Sequence, residues 1–144
     1  MTMKLISIAG IICAGLVMLQ AADKIVTGPK GGRILEKTAP QAEFLVSSNR
    51  SVSIHFYDAA AKGIAPTTQN VTLIVETPGA RNKVEFDTKG DALVSKTALP
   101  DGDGYNVVVQ FRQSSDAKPQ NYRFPLDMSS CGGCKRAEYA CSCH

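Results

Sequence analysis

The chain has no tryptophan, and aromatic residues make up only 6% of its 144 positions. It has two histidines, too few for a histidine-rich metal tract. Sixteen Lys and Arg face thirteen Asp and Glu, and the net charge of +3 is spread along the chain. That excludes the clustered basic face a nucleic-acid binder needs. There is no acidic or basic tail, no heptad pattern and no internal repeat, which excludes charged tails, coiled coils and solenoids. No Ser/His/Asp set or other nucleophile–base pair can be defended, so the sequence gives no ground for an enzyme. What it does have is length for one domain and a 44% hydrophobic content, enough to build a core.

The first residues, MTMKLISIAGIICAGLVMLQAADK, place Lys4 before an apolar run from Leu5 to Leu19, with Ala21 and Ala22 after it. This is the layout of a secretory signal peptide over residues 1–22. Against an uncleaved anchor, the run falls short of the about 20 apolar residues a membrane span needs. The expectation is export to the periplasm or beyond, with membrane contact only through this segment if it is retained. Cleavage would remove Cys13 and leave four cysteines, all near the C-terminus.

The body from residue 23 to 128 reads as strands and turns. SVSIHFYD alternates, with Val52, Ile54 and Phe56 inward and Ser53, His55 and Tyr57 outward. AEFLVS puts Phe44 and Val46 on one face; NVTLIVET does the same for Val71, Leu73 and Val75. NKVEFDT, DALVSKT, YNVVVQFR and NYRFPL continue the pattern. Period-two alternation marks strands with one buried face. DAAAKG, TPGARN, TKGD, LPDGDG and SSDAKP separate the runs with turn-forming residues. The expected fold is an all-β, Ig-like or Greek-key sandwich of seven or eight strands.

Pro125 marks the last strand as an edge or a bulge, because proline cannot donate to a ladder. Tyr105, just after a Gly-rich turn, is placed for a tyrosine corner. His55 reads as a surface residue, and Asp58, Asp101 and Asp103 as turn residues. In TGPKGGRILE, Gly28, Gly31 and Gly32 lack phosphate-loop spacing and no helix follows, so the stretch reads as a structural turn.

The chain ends CGGCKRAEYACSCH. Cys131 and Cys134 form a C-x2-C pair around two glycines, which permit a tight, left-handed backbone and free amides to face thiolates. The spacer KRAEYA can loop back to bring a third sulfur, Cys141, and Cys143 or His144 can complete a tetrahedral set. Thiolates favour Zn(II) and Cu(I), the latter with fewer ligands. Lys135 and Arg136 would offset the negative charge and depress thiol pKa values. Two cross-paired disulfides are the alternative, natural to an oxidising compartment. A c-type haem wants C-x-x-C-H, which the tail misses at Lys135, and a thioredoxin-like centre wants a helix in a βαβ unit.

GPKGGRILE, AEFLV and VSIHFYDAAAKG resemble a loosely defined group of small exported bacterial proteins with a G-P-x-G-G lead-in and a β-sandwich body. EYACSCH is similar to the Cys-rich endings of some members, and LPDGDGYNVVV resembles copper-resistance sandwiches. The resemblance implies heavy-metal handling or efflux. Lys30 stands where the group often has His, and the Met- and His-rich copper motifs are absent.

Together these readings describe a signal segment (1–22), a sandwich (23–128) and a Cys-rich tail (129–144). The expected function is binding of Cu(I) or Zn(II) by Cys131, Cys134, Cys141, Cys143 and His144, as buffer, carrier or accessory of efflux. Its partners would be the metal ion and a metal-efflux or cell-envelope protein, with no nucleic acid. The rival is a disulfide-closed structural or interaction module at the cell surface.

Overall fold

A computed structural model describes residues 24–143. The signal-segment reading of residues 1–22 and the candidate ligand His144 lie outside them. Nine strands form within this range: β1 (Arg33–Glu36), β2 (Gln41–Val46), β3 (Val52–Tyr57), β4 (Gly63–Ile64), β5 (Asn70–Thr77), β6 (Ala80–Lys89), β7 (Ala92–Ser95), β8 (Asn106–Arg112) and β9 (Gln120–Pro125). The expected count of seven or eight falls short because β4, at two residues, is too brief to show a period, and because Arg33–Glu36, read as part of the lead-in turn, is strand β1.

All pairings are antiparallel and run β1-β2-β3-β7-β6-β5-β8-β9, with β4 on β3. Within that order, β8-β5-β6-β7 is a Greek key: three hairpin-connected strands, and a fourth that returns beside the first. Strand β6 belongs to both layers. Its first half, through Glu85, pairs with β5, and its second half, from Phe86, pairs with β7. The sheet therefore folds over itself at β6 and comes close to closing as a barrel, with β1 and β9 as its two ends.

The alternation read from sequence fills the space between the layers. Phe44, Val52, Ile54 and Phe56 from one layer meet Leu73, Val75, Val107, Val109 and Phe111 from the other, all at most 1% exposed. Each such side chain contributes roughly 1.5–3 kcal/mol relative to exposure. Phe56 stacks on Phe111 at 6.1 Å, and Phe44 meets Phe124 edge-on at 5.4 Å. Tyr105 makes the expected corner: its hydroxyl donates to the Pro100 carbonyl at 3.0 Å and accepts from Arg50 at 2.9 Å. Pro125 lies on β9, which among the described residues pairs only with β8, as an edge proline must.

Tyr57 departs from the outward expectation. It is on the outer face of its strand, yet 4% exposed, because the lead-in folds over that face. Beneath the lead-in, Glu43 is fully buried. Its carboxylate accepts from the amides of Lys30 (3.0 Å) and Gly32 (2.7 Å) and from the Tyr57 hydroxyl (2.5 Å). A buried carboxylate is tolerable only when so satisfied. The glycine turn is structural, as expected, and the anion its amides hold belongs to the chain. A Cβ at Gly28 would collide with the Glu43 carboxyl group, and one at Gly32 with the Phe44 carbonyl oxygen.

Candidate metal centre

The tail begins as a narrow turn-back. Ser130 bridges Ala137 in antiparallel fashion, the Cys131 amide donates to the Arg136 carbonyl (2.7 Å), and the Lys135 amide returns to the Cys131 carbonyl (3.0 Å). To close so tight a loop, Lys135 takes φ of 61°, the left-handed region expected of Gly132 and Gly133, neither of which has a positive φ. The segment 131–136 is thus a small knuckle that holds Cys131 and Cys134 on one side. A 3-10 turn, Glu138–Ala140, then carries the chain back, and the Cys141 amide donates to the Glu138 carbonyl at 3.1 Å.

What fixes this segment is Tyr139. It is 4% exposed, meets Phe44 edge-on at 5.8 Å and stacks on Phe124 at 6.5 Å. Its hydroxyl oxygen accepts from the Val46 amide at 2.9 Å. The ring therefore plugs the gap between the β1–β2 and β9 ends of the sheet. The Thr27 hydroxyl donates to the Ala140 carbonyl (2.7 Å), and the Arg33 guanidinium lies 4.5 Å from the centre of the Phe124 ring. A Cβ at Gly31 would lie 3.7 Å from Arg136 Nε, so the lead-in packs on the knuckle too. The two unusual stretches of the sequence, lead-in and tail, meet at one seam.

At that seam the sulfurs of Cys131, Cys134, Cys141 and Cys143 all lie within 4.8 Å of one another. Cys131 and Cys141 are buried, Cys134 is half-buried and Cys143 is exposed. Sγ of Cys141 is 2.6 Å from that of Cys131 and 3.4 Å from that of Cys134. A tetrahedral ion with Zn–S bonds of about 2.3 Å spaces its sulfurs about 3.8 Å apart. The donor set fits: among the described residues, four sulfurs and no competing carboxylate in the cluster, in a group that can close on one ion. Cys143 supplies the fourth sulfur.

The amides that donate to sulfur are those of Arg136, toward Cys134, and Cys143, toward Cys141 at 3.4 Å; the glycine amides were the expected donors. The Arg136 amide is the largest cause of a lowered Cys134 pKa, to about 6. The basic side chains of Lys135 and Arg136, expected to do this, are not its cause. The neighbouring thiols push the other way elsewhere. Cys141 is pushed up to about 12, first by its hydrogen bond with Cys131, and Cys143 is raised chiefly by Cys134. Once one sulfur ionises, the others resist ionising beside it. A cation at the centre removes that resistance.

Other polar groups are structural. The Asp103 carboxylate accepts from the Met128 amide at 2.8 Å, and Asp58 from the amides of Ala60 and Lys62 at 2.9 Å. His55 is half-buried with Nε2 3.1 Å from the Ser53 hydroxyl, and burial lowers its pKa. A shallow hollow lined by Thr72, Ile74, Arg81, Lys83 and Gln110 has both its cations paired, with Glu76 and Glu85. No family model matches the chain, and comparison with curated proteins and with solved structures finds no significant match.

Proposed function

We propose that this chain is an exported metal-binding protein that holds one soft or borderline ion on Cys131, Cys134, Cys141 and Cys143. It serves as a buffer, carrier or accessory of heavy-metal efflux, and a metal-efflux or cell-envelope protein is its partner. One observation carries the reading: four thiols from one short segment converge within 4.8 Å at the seam of the sandwich. Four sulfurs able to surround one ion favour Zn(II) over Cu(I), which accepts fewer ligands. Export rests on the signal-like pattern of residues 1–22 and on the resemblance of the lead-in and tail to exported proteins.

Native mass spectrometry of the mature protein, purified anaerobically and repeated after denaturation, tests this. The expected result is one bound ion, released on denaturation, with four titratable thiols. Replacing Cys131 and Cys134 by Ser should abolish stoichiometric binding.

A second reading has an observation of its own. The approach of Cys131 to Cys141 is the cross-pairing expected of a disulfide-closed tail, with Cys134 and Cys143 left to pair. A metal-free mass four hydrogens lighter than the thiol form, with no thiols after denaturation, would establish that reading instead.

A further inference from the structure

We infer that Cys143 is the exchange ligand of the centre, the sulfur through which the ion passes to a thiol-bearing acceptor. This rests on the metal-binding reading above. The four sulfurs are not equivalent. Cys131 and Cys141 are 2% and 1% exposed, and Cys134 is half-buried. The backbones of Cys131 and Cys141 are tied into the knuckle and the 3-10 turn by the 2.7, 3.0 and 3.1 Å bonds already described. Cys134 receives the Arg136 amide at its sulfur. Cys143 is exposed, and its amide is tied to the Cys141 sulfur rather than to a backbone carbonyl.

The path to that sulfur is open. Gly132 and Gly133 form the solvent side of the knuckle. A Cβ at Gly132 would meet nothing within 4 Å, whereas one at Gly133 would stand 3.3 Å from the Cys143 sulfur. The absence of side chains at Gly132 and Gly133 leaves Cys143 uncovered.

The step is a ligand substitution. The entering thiol binds the ion as a thiolate, the bond from the ion to Cys143 breaks, and the proton given up by the thiol goes to the Cys143 sulfur. The ion keeps its charge, and no oxidant or reductant is needed. Cys131, Cys134 and Cys141 hold the ion until further thiolates displace them in turn.

The reduced full chain, loaded with one equivalent of Zn(II), tests this by native mass spectrometry and by the rate of zinc transfer to a chromophoric chelator in the presence of glutathione. Cys143→Ser should retain one zinc per chain and transfer it faster. Losing an outer-shell partner alone weakens a metal site about 10- to 100-fold, so a lost ligand should speed transfer at least tenfold. Cys131→Ser should lose the zinc. Cys134→Ser should lose it as well, and it serves as the anchor comparison if the buried Cys131 substitution fails to fold by circular dichroism. Equal loss of zinc in Cys143→Ser and Cys134→Ser overturns the assignment, as does a wild-type transfer rate in Cys143→Ser. A wild-type chain that takes up no zinc overturns the metal-binding reading itself, a separate result.

Discussion

Removing one oxygen atom, by Tyr139→Phe, tests whether the tail is part of the fold. In β2, Val46 pairs with Val52 of β3 on one side. On the other side β1 reaches only as far as Phe44, opposite Arg33. The Val46 amide therefore has no strand carbonyl to meet, and the Tyr139 hydroxyl accepts from it at 2.9 Å in a buried position. Phenylalanine keeps the ring and leaves that N–H unpaired, at a cost of about 1–3 kcal/mol. Tyr139→Ala also removes a ring packed between Phe44 and Phe124 and should cost about 3–5 kcal/mol, a large share of a total of roughly 5–15 kcal/mol.

The assay is urea unfolding of the reduced chain followed by circular dichroism, first with a chelator present and then with Zn(II). With a urea dependence of roughly 1–3 kcal/mol per molar for a small domain, the phenylalanine variant should unfold at a visibly lower urea midpoint. Zinc should raise the midpoints of wild type and Tyr139→Phe by similar amounts, since the hydroxyl bonds to β2 and to no sulfur. A Tyr139→Ala variant as stable as wild type would show that the tail only rests on the sandwich, and the plug argument would fail.

Gly32→Ala should destabilise by more than about 2 kcal/mol, through collision with the Phe44 carbonyl, whereas Gly63→Ala, which meets nothing within 4 Å, should be near neutral in the same unfolding assay. Glu43→Gln keeps one oxygen for the Lys30 and Gly32 amides, but puts –NH2 where the other oxygen accepts from the Tyr57 hydroxyl and removes the charge, and should cost roughly 1.5–3 kcal/mol by urea midpoint. An unchanged midpoint would mean the lead-in is not held by that carboxylate. The phenols of Tyr57, Tyr122 and Tyr139 are all raised, chiefly by burial, with Glu43 and Glu36 adding to it for the first two. The unfolded chain gives up those protons near pH 10 while the folded chain keeps them, so stability is intact below about pH 10 and falls as pH rises above it. Phenolate absorbance should therefore lag in the native protein and rise together with loss of circular dichroism; ordinary titration of Tyr57, Tyr122 and Tyr139 with the fold intact would refute this.

The sandwich was legible because each long strand buries one face against the opposite layer, and that writes a period of two into Val52–Ile54–Phe56 and Val107–Val109–Phe111. Glu43 and Tyr57 were not legible. Their burial comes from a second covering layer, the glycine turn, and neither periodicity nor composition says which strand face a turn will cover. A close physical clue existed in the turn itself: glycines there leave room for a side chain to approach the backbone, and Gly28 and Gly32 do so for Glu43. The four cysteines announced themselves by identity and spacing. Their arrangement depends on Tyr139, which looks in sequence like any residue of a short spacer. Its partner amide on Val46 is distant in the chain, and only the early end of β1 leaves that amide free.

The seam also explains why the two readings of the tail act at the same place. A sheet that stops short of closure leaves two edges, and unprotected edges invite pairing with other chains. Here β1 is covered by the lead-in, with the Ile34 amide donating to the Val26 carbonyl at 2.8 Å and Thr27 bridging Arg33. Side chains rather than ladder bonds join it to β9, as when the Tyr122 hydroxyl donates to Glu36 at 3.1 Å. Anything that cross-links the cysteines clamps Tyr139 in the remaining gap. An ion at 100 times its Kd would add about 2.7 kcal/mol, and a disulfide closing a loop of about 10 residues a little under 3 kcal/mol. Magnitude therefore does not separate the two, but its dependence does. Stabilisation by an ion grows with the logarithm of its concentration and vanishes with a chelator, whereas stabilisation by disulfides ignores the chelator and vanishes with a reductant. The metal-binding reading requires the first pattern in protein drawn directly from its own compartment.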